Sequence, residues 1–135
     1  MDTRFGHIQV NIAAANIAFY RQLFTFLEWP VIHDGDGVLG FAGKSSDSIW
    51  FIGGAKDVRN DYDGPGVNHI GIAAGSQADV DAVAQYLNNL GVPALFETPR
   101  HRPEFASSEA DTYYQVMFES PDGVLFEVVY TGPKA

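Results

Sequence analysis

The feature that most constrains this chain is a short strand-like phrase that occurs twice, each time heading the same series of elements. Near the start it reads Gly6-His7-Ile8-Gln9-Val10, and at mid-chain Asn68-His69-Ile70-Gly71-Ile72. In the first copy Ile8, Val10 and Ile12 alternate with His7, Gln9 and Asn11, the period of a strand that buries one face. Residues 5–12 are therefore predicted as a strand. The stretch 16–27 places Ile17, Tyr20, Leu23, Phe24 and Leu27 on one helical stripe, with Pro30 expected to stop it. Short strands are predicted next over 31–33, 38–42 and 48–52. The turn residues Asp34-Gly35-Asp36-Gly37 and Gly43-Lys44-Ser45-Ser46 part them.

The second copy repeats the order. A strand is predicted over 67–73, and a helix opens at Ser76 with Asp79 three places on, close to a capping box. Val80, Val83, Ala84, Leu87 and Leu90 line one face of that helix, and Gly91 with Pro93 ends it. Strands follow at 94–97, 113–119 and 124–130, the last two joined by Ser120-Pro121-Asp122-Gly123. The charged loop 99–111, with two prolines, is expected to form a rim or lid. The predicted fold is thus α+β: two βαβββ modules whose curved mixed sheets enclose a shared cleft, with helices on the outer faces. The length suits a single domain, 1–135, with module one at about 1–55, a linker at about 56–66 and module two at about 67–132.

Strand parity then selects candidate functional groups. His7, Gln9 and Asn11 oppose the apolar set of their strand, and His69, Gly71 and Ala73 oppose Ile70 and Ile72. In the last strand Phe126, Val128 and Tyr130 form the apolar set, which leaves Glu127 on the other face. A carboxylate inside Leu-Phe-Glu-Val-Val needs a partner, or its burial costs several kcal/mol. Two imidazoles and one carboxylate, with positions left for water or substrate, suit non-haem Fe(II) or catalytic Zn(II). Gln9, Trp50, Tyr113, Gln115 and Met117 have the parity to line a cavity beside such an ion.

Charge narrows the partners. A formal net charge of −9 argues against nucleic acid and anionic membranes. With no Cys there are no disulfides and no thiolate ligands. No apolar run has the length of a membrane span, and a cytoplasmic location is the default expectation. The expected partner is a small molecule bearing oxygens that chelate a metal, on a partly aromatic or apolar frame.

Several phrases resemble the vicinal oxygen chelate superfamily, which includes glyoxalase I, bleomycin-resistance proteins, fosfomycin-resistance transferases and extradiol dioxygenases. They are Ala18-Phe19-Tyr20-Arg21-Gln22-Leu23, Tyr113-Tyr114-Gln115-Val116-Met117-Phe118 and, above all, Ser120-Pro121-Asp122-Gly123-Val124-Leu125-Phe126-Glu127. The last is close to that superfamily's Asp-Pro-Asp-Gly turn and ligand glutamate. The resemblance implies His7, His69 and Glu127 as ligands of a divalent ion (Fe, Mn, Zn or Ni). It also implies a homodimer, in which His7 can complete a partner's site. The fourth ligand of glyoxalase I should fall near Trp50, where no carboxylate stands, and this counts against ordinary glyoxalase I chemistry.

What remains is a metal-dependent lyase, dioxygenase or transferase. Gln9 and Tyr113 are then the candidates to act on substrate, and Trp50, Gln115, Met117 and Arg100 the candidates to bind it. His101 is a further acid–base candidate, and His33 is expected at a strand end without a role. The rival expectation is a binding protein of the bleomycin-resistance kind, which sequesters a ligand without metal.

Overall fold

Both copies of the repeated phrase form the first strand of a four-stranded mixed sheet, and each of these strands lies parallel to the last strand of its own sheet. A computed structural model describes residues 1–135, which divide into two compact units, Met1–Arg59 and Asn60–Ala135.

In unit one, β1 (His7–Ile12) is followed by a short 3-10 turn and helix α1 (Ile17–Phe26), then β2 (Val31–Gly35), β3 (Val38–Ala42) and β4 (Ser48–Gly53). The sheet order is β1-β4-β3-β2. The even-numbered apolar residues of β1 do face the helix: Val10 and Ile12 are buried, with Leu39, Phe41, Ile49 and Phe51 from the neighbouring strands. From α1, Tyr20 stacks on Phe51 with ring centres 4.4 Å apart, and Phe24 lies 5.2 Å from Phe41. Each such side chain contributes about 1.5–3 kcal/mol by leaving water.

Helix α1 ends before Pro30 is reached. Glu28 takes a left-handed conformation (φ 63°), its N–H bonds Thr25 O, and Trp29 N–H bonds Phe24 O at 3.0 Å. This is a Schellman turn, and the Trp29 ring closes it against Phe24 at 5.3 Å. His33 lies inside β2 and not at its end, because Asp34 and Gly35 continue the ladder opposite Leu39 and Val38.

Unit two repeats the plan with β5 (His69–Ala73), α2 (Gln77–Asn89), β6 (Arg100–His101), β7 (Asp111–Glu119) and β8 (Leu125–Pro133), in sheet order β5-β8-β7-β6. Ser76 caps α2 by accepting from Asp79 N–H at 3.1 Å, and Gly91 (φ 73°) ends it in a second Schellman turn. Val80, Val83 and Leu87 of the helix are buried, as are Ile72, Val116, Phe118, Phe126 and Val128 of the sheet.

The strand expected over 94–97 does not form. Phe96 and Glu97 both have positive φ (57° and 62°), which an extended strand excludes. Thr98 closes the turn on Leu95 O, and its hydroxyl then accepts Met117 N–H at 3.0 Å, while Leu95 N–H donates to Met117 O at 2.8 Å. These bonds satisfy the β7 edge where a strand was predicted. The fourth strand is the two-residue β6, inside the stretch predicted as a loop. A 3-10 turn, Pro103–Phe105, follows it.

Candidate functional site

The two units each carry a polar group of side chains on the sheet face opposite the helix. In unit two the register sets Gly71 beside Glu127 and Met117 on its other side, with Gln115 next to Val129 and Arg100 next to Gln115. Directly paired residues share a face, so β5, β8, β7 and β6 all contribute to one surface. Glu127 is its centre. The residue is 5% exposed, and Tyr113 Oη lies 2.9 and 3.0 Å from its two oxygens. Gln115 Nε2 donates to Oε2. Gly71 leaves the room this needs, since a Cβ there would lie 3.3 Å from Glu127 Oε1.

No Lys or Arg reaches the carboxylate; the nearest cation-forming group is His69, whose Nε2 is 3.9 Å from Oε1. Two neutral donors thus satisfy hydrogen bonds without supplying a countercharge. Tyr113 remains a phenol under ordinary conditions. Burial, its bond to Glu127 and the carboxylate's charge push its pKa up to about 12.

The tautomer of His69 follows from its neighbours. Asn68 Nδ2 donates to Tyr62 O at 2.9 Å, which fixes the amide with Oδ1 toward the imidazole. That oxygen lies 2.8 Å from His69 Nδ1 and can only accept, so Nδ1 carries the hydrogen. Nε2 then faces Glu127. An imidazole whose far N–H is held by an oxygen is the arrangement a metal-binding histidine needs. Metal bonds from nitrogen and carboxylate oxygen are about 2.0–2.2 Å long. An imidazole nitrogen and a carboxylate oxygen are donors that suit a divalent cation, although neither unit by itself gathers three His, Asp or Glu side chains that could hold one.

In unit one, His7, Gln9, Ser48, Trp50 and Ile52 line a concavity of about 480 Å³. Gln9 is paired with Trp50 and His7 with Ser48 across β1 and β4. The indole leans over β3: a Cβ on Gly40 would meet three of its ring carbons at 2.6–2.9 Å. Its Nε1 donates to Ser48 Oγ at 2.9 Å. Gln9 Nε2 donates to Asn11 Oδ1 at 2.9 Å, which leaves the Gln9 carbonyl available.

Residues 4–128 match the model of the Glyoxalase/Bleomycin resistance protein/Dioxygenase superfamily. The chain belongs to this superfamily. Solved structures show the same fold. A glyoxalase candidate of Bacillus halodurans is 22% identical with TM-score 0.76, the match covering 93% of this chain and 94% of that one. A lactoylglutathione lyase of Agrobacterium tumefaciens is 19% identical with TM-score 0.66, over 96% and 95% of the chains. A genomically encoded fosfomycin resistance protein of Listeria monocytogenes, solved with Mn(II) and sulfate, is 20% identical with TM-score 0.66, over 96% and 91%. Comparison with curated proteins finds no match.

Within this superfamily fold, unit two brings together His69, Glu127, Tyr113, Gln115 and Met117, and unit one brings together His7, Gln9 and Trp50. Arg100 shares the Glu127 face; its Nη1 is 3.6 Å from Glu97 Oε2 and its Nε is buried without a hydrogen-bond partner. His101 is turned away. It pairs with Tyr114 on the helix-packed side and bonds Thr112 Oγ1. There Tyr114 donates to Asp81 of α2, and burial with that bond raises its pKa to about 12.

Parity reasoning missed Asn68, Arg102 and Gly40. The first two act only through a second residue, which no pattern of single positions shows. Gly40 did carry a signal: a glycine within an apolar strand marks close approach by another group.

Proposed function

We infer that this chain is a divalent-metal-dependent enzyme of the glyoxalase/dioxygenase type. Its substrate is a small molecule that offers two oxygens to the ion. The observation that carries this reading is His69 Nε2 turned toward a buried Glu127 that no Lys or Arg neutralises. His69 and Glu127 would hold the ion, with His7 of the partner chain in a homodimer as the third donor. A bound ion supplies a Lewis acid that polarises substrate oxygens and stabilises negative charge as it develops.

The chain's own groups do the remaining work. Tyr113 and Gln115 keep the carboxylate oriented, and Tyr113 stays protonated while it does so. In unit one, Trp50 offers an aromatic surface and Gln9 a free carbonyl for orienting substrate.

Thermal unfolding with and without Mn(II) tests the reading. Binding to the native state alone raises stability by about 2.7 kcal/mol at a hundredfold excess over Kd. The wild type should show such a rise, and His69→Ala and Glu127→Gln should not. A wild-type unfolding temperature indifferent to divalent ions contradicts the reading. It would favour a metal-free ligand-sequestering protein, for which the unit-one concavity with its indole suffices.

A further inference from the structure

Arg102 stands just beyond β6, where the turn Pro103–Phe105 folds two side chains back onto it. Its Nε donates to Glu104, and its guanidinium carbon lies 4.8 Å from the centre of the Phe105 ring. Its main-chain N–H donates to Tyr113 O at 2.7 Å, and Phe105 meets the Tyr113 ring edge-on at 5.4 Å. The turn therefore grips β7 at Tyr113 and sets Arg102 Nη1 3.2 Å from Gln115 Oε1. Gln115 is 2% exposed, and its other end donates to Glu127.

The polarity of that buried amide is decided at Arg102. A guanidinium only donates, so it demands the carbonyl end of Gln115; a carboxylate only accepts, so it demands the NH2 end. Reversal would set donor against donor and acceptor against acceptor where little water can relieve either. We propose that Arg102 is a positioning residue for Glu127. It fixes the Gln115 amide, and that amide, with Tyr113, holds the carboxylate with Oε1 toward His69 Nε2. One turn outside the sheet thus touches both groups that donate to Glu127. The relay stands on unit two alone, and its bearing on a metal ion rests on the function proposed above.

The test uses the full chain and Arg102→Met, which keeps an apolar stem against Phe105 and removes the donors. In metal-free wild type, NMR should show one Gln115 side-chain NH2 proton shifted far downfield by Glu127 and slow to exchange. In the variant that shift should collapse and exchange should quicken. With Zn(II) as the probe, calorimetric titration should show about 10–100-fold weaker binding, the usual effect of losing an outer partner of a ligand.

An unchanged Gln115 signal in folded Arg102→Met overturns the proposal, and so does a changed signal with unchanged Zn(II) affinity. Should that variant not fold, Arg102→Lys is judged by the same two criteria, since lysine lacks the fork that spans Glu104 and Gln115 together. A wild type that takes up no Zn(II) contradicts the metal reading, and the Gln115 signal then decides the relay by itself.

Discussion

The indole of Trp50 takes its position because residue 40 has no side chain, and the same economy of space recurs at Gly71 beside Glu127. At Gly40 the fit has no slack. A methyl group there would stand 2.6 Å from the indole ring, so Gly40→Ala must move Trp50 or the strand. Overpacking of this kind costs about 1–3 kcal/mol. We expect Gly40→Ala to lose about that much stability by urea unfolding and to shift tryptophan emission as the ring leaves its seat. Unchanged emission and stability would mean that the indole does not rest there. At Glu127 the device is polar: a buried carboxylate that no Lys or Arg reaches is kept by a phenol and an amide. The histidine beside it has its tautomer set by Asn68, one residue earlier in the chain.

Among the elements, the end of α1 is the most testable. Glu28 sits at φ 63°, where a residue with a Cβ is disfavoured by about 1–2 kcal/mol and glycine is not. Glu28→Gly should therefore stabilise the chain by up to about 1 kcal/mol, part of the gain being lost to the freer unfolded chain. A fall in melting temperature would contradict this account of the turn. The start of α2 was legible, because Ser76 and Asp79 announce a cap through their own chemistry. The end of α1 was not, since Pro30 gave the more obvious stop and nothing local marks Glu28 as left-handed. Residues 94–97 failed for a similar reason: the Thr98 hydroxyl and Leu95 N–H take over bonds that strand pairing would otherwise make, and such bonds depend on the distant Met117.

At the scale of the molecule, the repeat read from two histidine phrases is a repeat of topology. The orders β1-β4-β3-β2 and β5-β8-β7-β6 correspond strand for strand, and superfamily membership follows from the match over residues 4–128. Alternation within strands made this legible, and it also placed Glu127, Tyr113 and Gln115 on one face. The partners that tune those groups lay beyond its reach, because Arg102 reaches Gln115 from the turn after β6 and Asn68 holds His69 by a side-chain bond that alternation does not register. The central claim, that His69 and Glu127 seat a divalent ion, is tested most directly by elemental analysis of protein expressed with Fe, Mn, Zn and Ni supplied. The account predicts close to one ion per chain in the wild type, and its loss in a folded His69→Ala variant. A folded wild-type chain purified without metal under those conditions would contradict it.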